Sequence, residues 1–107
     1  INFRIVIPNN IFLEIDKMIH IGMILNEIIS NSLKYAFDTN GTITILYTLT
    51  NEKNILSIKD NGNGLPLGFK RETDGNLGMQ LIYMLTEQLN GNVKMSSKKG
   101  VHYKIEF

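Results

Sequence analysis

The chain switches several times between two hydrophobic periods, and those switches divide it into elements. "FRIVIP" (3–8) and "IFLEI" (11–15) are short β-type runs separated by the turn-prone Pro8-Asn9-Asn10, so two short strands are expected. Asp16 then offers an N-cap for a long helix. Met18, Ile21, Leu25, Ile28 and Ala36 fall on one helical stripe, widened by Ile24, Ile29 and Leu33. Asp38-Thr39-Asn40-Gly41 predict its end near Phe37. "GTITILYTLT" (41–50) changes to period two, with Ile43, Ile45, Tyr47 and Leu49 on one face and mostly threonines on the other. "NEKN" turns the chain, and "ILSIKD" (55–60) returns as the partner strand of a hairpin. Residues 61–76 are glycine-rich and aperiodic, and so long a stretch without structure in a small domain is functional or disordered. The helical period resumes with Leu77, Leu81, Met84 or Leu85, and Leu89, until Asn90-Gly91 stops it. "NVKMSS", a "KKG" turn and "VHYKIEF" form a second hairpin, whose buried face is Val101, Tyr103, Ile105 and Phe107. This order predicts an α+β two-layer sandwich, a mixed β-sheet with helices packed on one face.

Composition narrows the class. A chain of 107 residues holds one small domain with a real core, and 43% hydrophobic with 20% charged residues is ordinary for a globular protein. A net charge of +1 gives no overall field that would recruit nucleic acid or an anionic membrane. Without cysteine there is neither a disulfide framework nor a thiolate metal site, which fits a reducing compartment. "MIHIGMILNEII" is the longest apolar-rich segment, and His20, Asn26 and Glu27 interrupt it, so it does not span a membrane. The chain opens on "INFRIVIP", without an initiator Met or a signal peptide, and is expected to be one domain of a longer polypeptide.

Three clusters carry candidate chemistry. Glu27, Asn31 and Lys34 are spaced i, i+4, i+7 and share a narrow stripe of the first long helix. Two readings are open: a solvated face with a Glu–Lys spacing, or a carboxylate, an amide oxygen and an ammonium at the rim of a pocket. The second set suits a nucleotide, because a carboxylate can act as a base, an amide oxygen is a hard ligand for Mg2+, and lysine is a point charge for phosphate. "DNGNGLP" (60–66) is either a plain turn or a loop whose Gly62 and Gly64 admit a flat ring, with Asp60 at the strand end seeking a donor such as an exocyclic amine. A calcium loop fails there, since Gly62 and Arg71 fall where ligands are required. "DGNLGMQL" (74–81) opens the last helix through Gly75 and Gly78, leaving backbone N–H groups for a phosphate, though no GK[ST] P-loop follows. Lys70 and Arg71 either reach phosphates or merely solubilise the loop. His20 and His102 are isolated and read as structural or surface residues.

"NEIISNSLKYAF", "DNGNGLP", "NLGMQLIYMLTEQLNGNV" and "KKGVHYKIEF", in that order, resemble the N, first glycine, second glycine and C-terminal glycine motifs of the catalytic ATP-binding domain of sensor histidine kinases. The resemblance covers essentially the whole chain and implies the Bergerat fold of the GHKL ATPases. It implies that Asn31 ligates Mg2+, Glu27 assists phosphoryl transfer, Lys34 contacts phosphate, and Asp60 bonds the adenine amino group in a pocket shaped by Gly62 and Gly64. Gly75 and Gly78 resemble the glycines of the ATP lid and of the helix start at the triphosphate. Tyr35 stands where close relatives often carry His, and Val101 where Thr is common, so the side chain there offers no hydroxyl towards adenine. The implied cofactors are ATP and Mg2+. The implied partners are a separate phosphoacceptor and dimerisation domain, a response regulator downstream and, for the parent, a second copy of itself; the implied setting of the domain is cytoplasmic, with the parent either soluble or membrane-anchored. With no phosphoacceptor histidine of that kind in the chain, it is not expected to autophosphorylate alone. Another Bergerat-fold ATPase, an anti-sigma-factor serine kinase or a non-catalytic docking module are the alternatives.

Overall fold

In the computed structural model, residues 1–36 and 40–107 are described. The strand β1 (Asn2–Val6) leads through an irregular segment into the helix α1 (Ile15–Asn31), which continues as one π-helical turn over Ser32–Ala36. The hairpin β2 (Thr42–Thr50) and β3 (Lys53–Asp60) follows, then a four-residue helix α2 (Arg71–Asp74), the helix α3 (Leu77–Gln88), and the hairpin β4 (Asn92–Lys98) and β5 (Gly100–Glu106). The five strands lie in the order β1-β2-β3-β5-β4, with β1 parallel to β2 and every other pair antiparallel. The expected mixed sheet with helices on one face is present.

Alternation along the strands decides what is inside. Ile43, Ile45 and Tyr47 of β2, Leu56 and Ile58 of β3, and Tyr103 and Ile105 of β5 are buried, and they meet Ile21, Ile24 and Ile28 of α1 and Ile82 and Leu85 of α3. The two long helices run antiparallel. His20 near the start of α1 bonds Gln88 at the end of α3, whereas Asn31 at the end of α1 bonds Asn76 at the start of α3.

Several expectations change. Residues 11–14 form no strand, and α1 begins at Ile15, absorbing the end of the expected second strand; Ile11 and Leu13 instead pack on the core. Glu14, not Asp16, holds the N-cap position and makes no side-chain cap bond, while Asp16 lies in the first turn where the helix dipole favours it. Met18 is 57% exposed because α3 has only 12 residues and ends level with His20, so the first turn of α1 overhangs it. Leu33 and Leu49 are exposed as well, the latter near the β2–β3 turn, away from the core cluster. The segment expected to lack structure contains α2, held by the Lys70 N–H donating to Asp74 Oδ2 at 2.9 Å and by the Arg71 guanidinium 3.9 Å over the Tyr83 ring. The expected helix end near Phe37 and the turn residues Asp38 and Thr39 lie outside the described residues.

Two predictions follow from the antiparallel helix pair. Ile24 is fully buried between α1, α3 and the sheet, so Ile24→Ala removes three carbons and leaves a cavity, lowering unfolding free energy by about 2–5 kcal/mol in urea titration. His20 sets Nδ1 2.6 Å from the Asp16 carbonyl oxygen and Nε2 2.9 Å from Gln88 Oε1, and with the Gln88 oxygen turned to the ring the protonated imidazole donates to both. The Asp16 carbonyl, then Gln88, raise its pKa above 6.5. A raised folded-state pKa gives stability that is complete below that value and is lost as pH rises through the folded one. The stability difference between the native chain and His20→Ala is therefore larger at pH 5.5 than at pH 8.

Candidate functional site

One end of the sheet, the last turns of α1 and the start of α3 enclose a cavity of about 650 Å3. Its floor is set by Asp60, the last residue of β3, which is 2% exposed. Three elements converge on its carboxylate. Ser32 Oγ donates to Oδ2 at 2.8 Å from the π-helical turn, and Oδ1 accepts from the Gly62 N–H at 3.1 Å and the Val101 N–H at 3.0 Å. A carboxylate offers about four lone-pair directions, so Oδ2, with one donor, can accept another, and Asp60 lines the cavity. The Val101 bond depends on Gly100, whose φ of +110° suits glycine and whose Cβ, if present, would lie 2.9 Å from Asp60 Oδ1.

The walls come from both helices and from the segment between them. Ile28, Asn31, Ser32, Tyr35 and Ala36 at the end of the first helix, Gly64, Leu65, Pro66, Phe69, Asp74 and Asn76 of the segment after β3, and Met79 and Tyr103 line it. Burial raises the Tyr103 pKa strongly, and the nearby Tyr83 and Asp60 add to it, so its phenol stays protonated throughout the physiological range.

At the mouth, Glu27, Asn31 and Asn76 meet over Gly78. A Cβ at Gly78 would lie 2.7 Å from Glu27 Oε2, 3.4 Å from Asn76 Oδ1 and 3.6 Å from Asn31 Nδ2. The bare glycine leaves room for the Glu27 carboxylate at the positive end of α3. Asn76 caps that helix by accepting the Met79 N–H at 2.8 Å, and its amide donates to Asn31 Oδ1 at 3.2 Å.

The sequence candidates thus divide. Glu27, Asn31, Asp60 and Gly64 stand in or beside one cavity, and Gly62 packs against Ala36 just below it, where a Cβ would come within 2.6 Å of the Ala36 Cβ. Gly78 starts α3 at the mouth, and Gly75 closes α2 through its N–H to the Arg71 carbonyl. Lys34 and Lys70 are exposed and do not line the cavity. Arg71 lies against Tyr83 and Glu72. Ser32, Asp74 and Asn76 escaped the sequence reading. Ser32 carried a signal, being a polar residue four positions after Ile28 on the buried stripe, and so did Asn76, a favoured N-cap residue directly before the periodic run. Among the described residues, no helix is long and apolar enough to cross a membrane.

Comparison with known proteins gives the site a context. The chain is 31% identical over 87 residues to the sensor histidine kinase PdtaS of Mycolicibacterium smegmatis, a match covering 78% of this chain and 17% of that protein. It is 24% identical over 79 residues to the blue-light-activated histidine kinase 2 of Erythrobacter litoralis, covering 71% of this chain and 23% of that one. Among solved structures, the histidine kinase domain of the Erythrobacter litoralis EL346 blue-light-activated histidine kinase superposes with a TM-score of 0.88 at 19% identity, over 99% of this chain and 53% of that one. The Acinetobacter baumannii histidine kinase AdeS superposes at 0.75 and 19% identity, over 98% and 51%. These likenesses establish the shared fold, and the chain spans only a small part of the curated relatives it matches. The sequence profile of the histidine kinase-, DNA gyrase B-, and HSP90-like ATPases matches residues 16–107, and the chain belongs to that family.

Proposed function

We propose that this chain is the catalytic ATP-binding domain of a longer histidine kinase, binding Mg-ATP and donating the γ-phosphoryl group to a histidine on a separate phosphoacceptor domain. The observation that carries the reading is the buried Asp60 carboxylate, which lines the cavity and is fixed by three donors, one fewer than it can accept. An adenine amino group is a donor of the right kind, and Met79, Val101 and Ile28 supply apolar surface for the ring. Phosphates would then extend towards the mouth, where Asn31, Glu27 and the start of α3 stand.

The donors there suit Mg2+. Asn31 offers a hard amide oxygen and Glu27 a carboxylate. Among the described residues no group of three or more His, Cys, Asp or Glu is gathered as a metal site, so the ion would rely on phosphate oxygens, water and Asn31. When bound, it would neutralise charge on the phosphates. The protein's own work is positioning: Asp60 holds the base, the capped start of α3 faces the phosphates, and Glu27 accepts a proton from, or orients, the incoming imidazole. The dimeric parent, its phosphoacceptor domain, the response regulator and a cytoplasmic setting belong to this same reading.

Calorimetric titration with ATP tests it. Saturable binding is expected, and Asp60→Asn, which turns one acceptor oxygen into a donor facing either the base or its own three donors, should weaken it by about tenfold or more. A folded native chain that binds no ATP would overturn the reading. Glu27→Gln should lower phosphoryl transfer to the parent's phosphoacceptor segment, supplied in trans, by about 100-fold or more, with a much smaller change in nucleotide affinity.

A further inference from the structure

Asn76 makes two bonds that together determine how Asn31 is presented. The oxygen and nitrogen of an asparagine amide are nearly interchangeable in shape, and only their partners fix which faces where. For Asn76 the Met79 N–H settles the matter: a backbone donor at 2.8 Å requires the Asn76 oxygen, which turns its Nδ2 outward. That Nδ2 lies 3.2 Å from Asn31 Oδ1, and a donor there requires the Asn31 oxygen in turn. Orientation therefore passes from the backbone of α3 to Asn76, and from Asn76 to Asn31 across 45 residues of sequence. A carbonyl oxygen has two lone pairs, so the bond from Asn76 leaves one for another partner in the cavity that both residues line.

We infer that Asn76 is a positioning residue for the cation site: it holds the Asn31 amide with its oxygen, not its NH2, offered to the metal. The inference rests on the Mg-ATP reading of this site. Among the described residues Asn76 is the only hydrogen-bond partner of the Asn31 side chain, and the flipped form presents donors that a cation rejects. The same contact makes Asn31 sensitive to where α3 begins, since any shift of the capped first turn carries Asn76 with it.

Asn76→Ser separates this role from helix capping, because serine is an equally good N-cap and lacks the second donor. The measurement is the ratio of ATP affinity in Mg2+ to that in EDTA, by calorimetry, for the native chain, Asn76→Ser and Asn31→Ala, with thermal unfolding run alongside. The expected result is a ratio about 3- to 10-fold lower in Asn76→Ser, the worth of one neutral hydrogen bond, and close to one in Asn31→Ala. Side-chain amide NMR gives a readout independent of nucleotide: relative to the native chain, the Asn31 NH2 pair should shift and broaden in Asn76→Ser. An unchanged ratio in Asn76→Ser beside a collapsed ratio in Asn31→Ala overturns the positioning role and leaves the metal reading standing. A native ratio near one overturns both.

Discussion

The site depends on one buried carboxylate. Placing Asp60 at 2% exposure would be costly if its oxygens were unpaired, and the chain meets that cost with donors from three separate places: a hydroxyl from the end of the first helix, an amide from the loop after β3, and an amide from the last strand. Each donor needs its own local device. Ser32 belongs to a π-helical turn, a feature that recurs at functional sites. Val101 reaches the carboxylate because Gly100, at positive φ, lets β5 come down onto the end of β3. Gly62 does so because it has no side chain to strike Ala36. Charge, backbone conformation and packing thus specify the same floor, and no one of them can change without moving the others.

The antiparallel helix pair supplies the rest of the geometry. With α1 and α3 side by side and reversed, the last turn of one is level with the first turn of the other, which brings Glu27 and Asn31 to the positive end of α3. The opposite end is closed by the bond from His20 to Gln88, and between the two polar contacts lie Ile24, Ile28, Ile82 and Leu85. A well-packed middle fixes the pitch of the helices, so the polar groups at the mouth are held by elements rather than by loops.

How much of this is legible in the sequence depends on how local its cause is. The two hairpins follow from period-two alternation and short turns; Asn51 and Glu52 take the left-handed conformation that a two-residue turn needs, and the β2–β3 register follows. Both helices follow from their apolar stripes. Residues 11–14 do not, because β propensity cannot say whether a sheet edge is free to receive them. Met18 and Leu49 look like core by period alone, and their exposure is set by how far the facing helix and sheet extend. Asp60, Asn31 and Glu27 stand out through their residue types and the motifs around them. Ser32 and Asn76 are ordinary residues whose importance lies in contacts 28 and 45 positions away, which no local pattern encodes.

The segment between β3 and α3 is held differently from everything around it. Asn61 and Asn63 tie its start to Thr42 and Ala36, but from Leu65 onwards its contacts with the rest of the fold are the Leu65 N–H to Ser97 Oγ at 2.8 Å, Arg71 over Tyr83, and Asn76 on Asn31 among the described residues, while its other bonds there run to its own neighbours, as from Lys70 to Asp74. A cation–π contact at the surface contributes roughly 0.5–1 kcal/mol and a neutral hydrogen bond about as much. Leu67 is fully exposed, and Pro66 and Phe69 face the cavity rather than a filled core. Segments with so few buried attachments open at lower free energy than the core they adjoin. A ligand that filled the cavity would give Pro66 and Phe69 the apolar partner they lack. The same wall that admits a ligand is therefore the part of the fold with most to gain from its arrival.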